Sequence, residues 1–342
     1  MTAGFKVLSP GLQTTVQDQG RVGHQRIGVP VSGALDGESL ALANALVGNP
    51  PGMAGFEILH QGPRVAVLAE SVRIALAGDG AAIETASGEF VPAWRSATLL
   101  RGAEFSVVAA RGAACSYLAV AGGLEVPLFL GSASTYVRGR FGGIEGRALK
   151  AGDIVPLALP RAPEGPERRL PKPPSAGLGE RVRVILGPQR EFFTDEAVAA
   201  LLDGEFRVSQ NADRMGMRLD GPPLPQKSGW DIVSDAIPTG AIQVPGSGQA
   251  ILLLADHQTT GGYPKIACVA SADLSRIGRL RPGDTLRFAA VGVEEAEALA
   301  RDEAARLAEL AASLEPCFEA AALDLGSLYR ANLISGVVSA RE

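Results

Sequence analysis

Apolar positions along this chain follow two different periods. Over residues 36–47, DGESLALANALV, Leu40, Ala43, Leu46 and Val47 recur at helical spacing, Asp36 stands where an N-cap is needed, and Asn49-Pro50-Pro51 closes the segment. The texture then changes to short β-branched or apolar runs at 65–68, 72–77, 105–108 and 116–121, separated by Gly, Pro, Asp or Ser. Short strands with frequent turn signals predict a mainly β fold, a barrel or a sandwich. Beyond residue 180 the same texture returns. Strands are predicted at 182–186, 206–209, 241–244, 250–255, 266–269 and 285–288, with a short helix over 194–202 capped by Thr194. The last periodic segment, 294–314, sets Ala296, Leu299, Ala300, Leu307, Leu310, Ala311 and Leu314 on one stripe opposite Glu and Arg. It predicts a helix that packs on the barrels or on a partner.

Between 156 and 174 the sequence PLALPRAPEGPERRLPKPP holds seven prolines, which removes backbone donors and favours extended, solvated chain. The expected organisation is a first β-domain (1–157), a Pro-rich linker (158–180), a second β-domain (181–292) and a C-terminal helical segment (293–342). An internal echo supports two related halves: Leu149-Lys150-Ala151-Gly152-Asp153-Ile154-Val155 aligns with Leu280-Arg281-Pro282-Gly283-Asp284-Thr285-Leu286, a turn feeding a strand in each.

Composition narrows the function classes. With 342 residues, 46% hydrophobic and 20% charged, the chain has material for two packed cores. A net charge of -5 without a clustered basic tract argues against nucleic acid. No apolar run approaches the roughly 18 residues of a membrane span, so a soluble cytoplasmic protein is expected. The three cysteines, Cys115, Cys268 and Cys317, form no CxxC pair, and His24, His60 and His257 have no metal-ligand spacing, so no metal is expected. The chain has no GxxxxGK[ST] loop, GxGxxG turn, GxSxG elbow, HExxH helix or Met-Lys-Met biotin sequence. Basic residues are nearly all arginine, with lysine only at Lys6, Lys150, Lys172, Lys227 and Lys265.

Polar residues cluster at the strand ends of the second half, where a rigid scaffold presents varied side chains. They are Asn211 to Arg218, then Ser234-Asp235, Gln243, and the stretch DHQTTGGYPKIA at 256–267. In that stretch Gly261 and Gly262 allow positive φ and close approach of a ligand. Gln258, Thr259 and Thr260 add donors and acceptors, Tyr263 a flat face with a hydroxyl, and Lys265 a cation. Together these suit a planar amide, a urea or a carboxylate; the competing reading is a polar turn with a solvent-facing lysine. His257 reads either as a general acid or base or as a structural residue bonding a neighbouring carbonyl. Arg214 reads either as an Asp213 ion pair or as a carboxylate grip. In the first half, GSAST at 131–135 and RGRFGG at 138–143 read as a turn, or as an anion site using amides and Arg138 or Arg140.

The motifs GVPVSGALDGESLALANALVGNP, YLAVAGG followed by GSAST, ADRMGMRLDGPPL, AIPTGAIQVPGSGQAILLLADHQTTGGYPKIACV and LRPGD resemble, in order and spacing, the allophanate hydrolase subunit 2 family. That family includes the C subunit of 5-oxoprolinase, the KipI antagonist KipA and the carboxyltransferase region of urea carboxylase (subdomains A and B). The resemblance runs over roughly residues 5 to 290. It implies two cyclophilin-like β-barrel domains and a partner resembling allophanate hydrolase subunit 1 (KipI-like), with a LamB/YcsF-like subunit as a further partner. It implies an ATP-dependent hydrolase of a small cyclic amide (5-oxoproline), with ATP bound by the complex. The alternatives are a carboxyltransferase moving a carboxyl group from carboxybiotin to urea or a similar amide, and a non-catalytic KipA-like regulatory subunit. The absent biotin lysine does not separate them, because in carboxylases it lies on a separate carrier domain; a carboxylase role would need the biotin carboxylase and carrier domains in trans. On these readings Lys265 and Arg214 stabilise charge, the Gly261 and Gly262 amides contact the oxyanion, and Gln258, Thr259 and Thr260 orient substrate. Asp235 or His257 moves the proton, and Asn211, Gln243 and Tyr263 complete the binding set.

Overall fold

Two apolar cores form where strands of period two meet face to face. The computed structural model describes residues 3–108, 110–174, 181–227, 229 and 231–317. In the first half a six-stranded sheet runs in the order Ile154–Pro156, Gly4–Ser9, Arg64–Val67, Glu104–Val108, Ala82–Thr85 and Phe90–Pro92. A seven-stranded sheet runs Gln13–Gln17, Gly55–Leu59, Cys115–Val120, Ser71–Ala77, Arg95–Leu100, Arg168–Arg169 and Glu315–Pro316. Between them Phe5 meets Phe105 edge-on at 5.8 Å, and Phe56, Ile74 and Leu118 fill the layer.

The strand Cys115–Val120 is buried at every position, although a sheet facing solvent on one side would alternate. Its second face is covered by α1 (Gly37–Val47), whose Leu40, Leu42, Ala43 and Leu46 pack on Ala75, Ala77, Tyr117 and Ala119. Asp36 caps α1 as its sequence position predicts, accepting from the Ser39 amide at 3.0 Å.

The second half is an eight-stranded, nearly closed sheet in the order Thr285–Leu286, Phe206–Asp213, Gly216–Asp220, Ile251–Leu253, Ala241–Gln243, Lys265–Val269, Val182–Leu186 and Phe288–Ala290. Only the last pairing is parallel among these. The core holds Val184, Phe193, Phe206, Leu219, Leu252 and Phe288, with α2 (Asp195–Asp203) capped by the Thr194 hydroxyl at its edge. The molecule is thus mainly β, in two cyclophilin-like barrels with a few short helices and one longer C-terminal helix.

The internal echo has a common geometry. Gly152 (φ 91°) and Gly283 (φ 96°) occupy the same turn position, and Asp153 and Asp284 each accept at 2.8 Å from the backbone amide three residues earlier. Each turn exchanges two backbone bonds with a neighbouring strand, through Val7 in one half and Val208 in the other.

Two expectations need adjustment. The strand expected at 206–209 continues to Asp213, so Asn211 and Asp213 stand on a strand rather than in a loop. The segment expected as solvated linker carries the strand Arg168–Arg169, which joins Arg95 on one side and Glu315–Pro316 on the other, and Leu170 beside it is buried. Proline removes donors but leaves carbonyls and the intervening arginine amides to pair, which is why a short strand survives here. The C-terminal helix is α4 (Val293–Ala312), which packs Leu307, Leu310 and, just past its end, Leu314 against α1's layer. Residues 175–180 of the expected linker and 318–342 of the expected C-terminal segment lie outside the described residues. Among the described residues no helix is long and apolar enough to cross a membrane.

A buried chain of charged and polar groups joins the halves. Arg214 donates to Asp256 at 2.8 and 3.1 Å, to the Gly33 carbonyl at 2.7 Å, and to Glu57. Glu57 accepts from the Tyr117 hydroxyl at 2.6 Å and the Leu35 amide at 2.9 Å, and Tyr117 accepts from the Asp36 amide at 2.8 Å. Arg279, in the turn after α3 (Leu274–Gly278), donates to Asp36 at 2.6 and 3.1 Å and to Glu38; Glu38 also takes Arg306 of α4. Burial opposes charge on Arg214, and Glu57 and Asp256 more than reverse that, so its pKa lies above the ordinary arginine value.

Removing one partner of such a buried set leaves an uncompensated charge. Arg214→Ala is expected to lower unfolding free energy by about 3–5 kcal/mol in urea titrations. The exposed pair Arg64–Glu104 supplies the control, since Arg64→Ala should cost less than about 1 kcal/mol.

Candidate functional site

The hairpin of Phe206–Asp213 and Gly216–Asp220 and the strands Ala241–Gln243 and Ile251–Leu253 frame a cleft of about 530 Å³. That volume is in the range of small-molecule sites. Asn211, Gln243, Gln258 and Tyr263 line it, with Met215, Ile251 and Leu253 as apolar wall and Arg138 reaching in from the first half. Four of the sequence-predicted binding residues therefore converge, although they come from three separate stretches of chain.

Gln243 is buried at the end of its strand, where the register against Lys265–Val269 shifts by one residue. The Gln258 side-chain amide donates to Gln243 Oε1 at 3.4 Å, and the Gln243 amide donates to the Tyr263 carbonyl at 3.5 Å. Both contacts are long for N–H···O bonds, so these two amides have donor and acceptor capacity to give to a ligand. Gly261 is what makes room for them: a Cβ there would lie 2.8 Å from Gln243 Nε2 and 2.7 Å from Ile237 Cδ1. The expected positive φ is absent at Gly261 and Gly262; the glycine requirement at 261 is one of space.

Thr260 and Gly261 form a two-stranded ribbon with Asp235 and Ala236, extended by Ile237 N–H to the Thr259 carbonyl at 3.1 Å and Ile232 N–H to the Gly262 carbonyl at 2.7 Å. Thr259, Thr260 and Gly262 thus hold this ribbon and are not part of the cleft wall. The ribbon delivers Asp235 to Lys265. The lysine side chain is 0% exposed, which overturns a solvent-facing lysine, and its Nζ donates to Asp235 Oδ2 at 2.9 Å. Gln189 ties both together, donating to Asp235 Oδ2 at 3.0 Å and accepting from the Lys265 backbone amide at 3.1 Å. The Lys265 hydrogen bond, followed by those from Ala236 N–H and Gln189, holds the Asp235 carboxyl below the usual carboxylate range. In register, Lys265 is the strand partner of Gln243, so the pair lies directly beside the cleft.

Two expected site residues serve the scaffold instead. Arg214 pairs with Asp256 and Glu57 rather than with Asp213 or a ligand, because all three of its nitrogens are engaged inside the interface. His257 is fully buried; its Nδ1 meets the Gln258 carbonyl at 2.6 Å and its Nε2 the Thr239 hydroxyl at 3.1 Å. A carbonyl only accepts, so Nδ1 carries the proton and Nε2 accepts, and neither nitrogen faces the cleft. Burial pushes the His257 pKa down.

In the first half the GSAST segment does bind an anion, and the anion is internal. Asp18 accepts from the Ser132 and Ser134 hydroxyls at 2.7 and 2.6 Å, and from the Ala133 and Gly20 amides at 2.7 Å each. Gln189 and Glu57 escaped sequence reasoning, since each is an isolated polar residue outside any motif whose partner lies 46 or 157 residues away, and the role of Asp256 at the head of the DHQTTGGYPKIA stretch was hidden because its partner Arg214 lies 42 residues away. Among the described residues no group of three or more His, Cys, Asp or Glu side chains is set to hold a metal ion.

Residues 27–290 match the model of the carboxyltransferase domain, subdomain A and B. The chain is similar to the 5-oxoprolinase C subunit of Escherichia coli (strain K12), 33% identical over 311 residues that cover 90% of this chain and 97% of that one. It superposes on the crystal structure of TTHA0988 with a TM-score of 0.76 at 40% identity, covering 84% of this chain and spanning 56% of that longer one. It superposes on the K. lactis urea amidolyase with a TM-score of 0.81 at 30% identity, covering 90% of this chain and 20% of that one. The chain belongs to the family of carboxyltransferase domains, subdomains A and B.

Proposed function

We propose that the chain is one subunit of an ATP-dependent 5-oxoprolinase-type hydrolase, which opens a small cyclic amide together with a subunit-1-like partner and a LamB/YcsF-like subunit. One observation carries this reading: the match to the 5-oxoprolinase C subunit extends over 97% of that protein, whereas the match to the K. lactis urea amidolyase takes in 20% of it. The geometry supports an amide substrate. Gln243 and Gln258, which both line the cleft, offer one donor and one acceptor each to a planar amide. Lys265 stabilises negative charge developing on the carbonyl oxygen, and Asp235, ionised by its neighbours, takes the proton of the attacking water.

The cleft does not fit ATP. Its charged lining is Arg138 and Arg218 against Asp213, a single net positive charge that suits a monoanion and not a polyphosphate. On this reading the nucleotide binds in the complex outside this cleft, and no step here runs through it. A carboxyltransferase reading, with carboxybiotin as donor and urea as acceptor, is favoured by the higher TM-score of 0.81 against the K. lactis urea amidolyase. It needs the same amide-binding groups.

The purified complex of this chain with its partners should form glutamate from 5-oxoproline only when ATP is present; absence of product from the complete set rejects the hydrolase. In that complex Lys265→Met is expected to lower kcat by about 10²–10³-fold without dissociating the subunits. Gly261→Ala should raise KM by about 10-fold or more, because the added methyl displaces the Gln243 amide. His257 acts as a neutral prop for Gln258, with a folded pKa below its ordinary 6.5. Above pH 6.5 both states are neutral and the full stability is present; as pH falls, the unfolded chain takes up the proton first and stability is lost down through the folded pKa. Thermal unfolding should therefore show a Tm that drops below pH 6.5, and His257→Gln should flatten that part of the profile.

A further inference from the structure

The cross-cleft contact of Arg138 is not absorbed by amide recognition. Arg138 sits in a turn closed by the Tyr136 amide bonding the Phe141 carbonyl at 2.9 Å. Gly139 presses against both rings of that turn, Phe141 stacks on Phe129 at 4.4 Å, and the buried Arg21 lies over the Phe141 ring at 5.0 Å. The turn is therefore anchored by aromatic packing, and it carries the guanidinium across to the second half. There its Nη2 meets Asp213 Oδ2 at 3.4 Å, with side chains 62% and 58% exposed. Such a pair is weak and readily replaced by another carboxylate. Asp213 is held independently, its Oδ1 accepting from the Met215 amide at 2.7 Å and the Gly216 amide at 3.3 Å. Arg138 lines the same cleft as Gln243 and Gln258.

We infer that Arg138 is the carboxylate subsite of this cleft, so that the preferred ligand is a small cyclic amide bearing a carboxylate. The inference rests on the amide reading of Gln243 and Gln258 proposed above. The amide is held at the glutamine end, the ring methylenes lie on Met215, Ile251 and Leu253, and the carboxylate takes the place of Asp213 on a guanidinium that donates to two oxygens side by side. A neutral amide such as urea leaves that end unused, so Arg138 selects between the two substrate classes of the family.

Calorimetric titration of the full chain with 5-oxoproline and with its neutral analogue 2-pyrrolidinone tests this. The chain should bind 5-oxoproline about 10- to 100-fold more tightly than 2-pyrrolidinone, the range expected for a hydrogen bond to a charged group. Arg138→Gln should abolish that preference and leave 2-pyrrolidinone binding unchanged, and Arg138→Lys should restore part of it. Asp213→Asn removes the competitor and should tighten 5-oxoproline alone. In the complex Arg138→Gln should raise KM and spare kcat. Equal losses for both ligands, an unchanged preference, or no binding of either ligand by the wild-type chain overturns the subsite. If the complex makes glutamate while Arg138→Gln behaves as wild type, the subsite fails and the hydrolase stands; if the Arg138-dependent preference is measured but no glutamate forms, the hydrolase fails and the subsite stands.

Discussion

The buried chain from Asp256 through Arg214, Glu57, Tyr117 and Asp36 to Arg279 and Glu38 is the interaction on which the arrangement depends. Ions taken out of water are costly unless every one is met by an opposite charge and by hydrogen bonds, and a set of this kind is satisfied in one relative position of its parts only. Here the parts belong to both halves. Glu57 and Tyr117 are on neighbouring strands of the first, Asp36 and Glu38 begin α1, and Arg214, Asp256 and Arg279 are in turns of the second. Burial, then the nearby Cys115 and Glu57, push the Tyr117 hydroxyl far above the usual tyrosine range, so it stays a neutral donor to Glu57. Arg306 extends the set to α4 through Glu38, so the C-terminal helix is placed by the same charges.

The cleft inherits its shape from this junction. Arg214 and Asp213 are adjacent in sequence where the strand Phe206–Asp213 gives way to its turn, one facing inward to the interface and the other outward to Arg138. His257 does the same for the following segment: it fixes the Gln258 carbonyl from inside while the Gln258 side chain lines the cleft. The chemistry-bearing side chains are thus held from behind by residues of equal polarity. This is why the sequence shows one polar cluster where the structure has two functions.

The repeated turn at Gly152-Asp153 and Gly283-Asp284 gives each barrel a common anchor, yet the halves diverge around it. In the first, the small-residue segment after Gly131 encloses the Asp18 carboxylate and makes a closed scaffold. In the second, the glycine stretch at 261–262 keeps an open ribbon that carries Asp235 to Lys265. One half supplies framework and the Arg138 turn, and the other supplies the amide groups.

Local pattern determined a good deal. Helical periodicity with Asp36 and Thr194 at the caps set α1 and α2, short runs between turn residues set the mainly β class, and the motif order set the family. The scarcity of lysine directed attention to Lys265, and the DHQTTGGYPKIA stretch does flank the cleft. Only the tertiary structure decided which polar residues face a ligand and which are buried props, because that depends on partners far away in sequence. Arg214 is matched by Glu57 across 157 residues, and Lys265 by Asp235 across 30. Short-range patterns record the period of a strand and the residue a turn needs; the charge that a buried arginine meets is fixed by how two sheets come together.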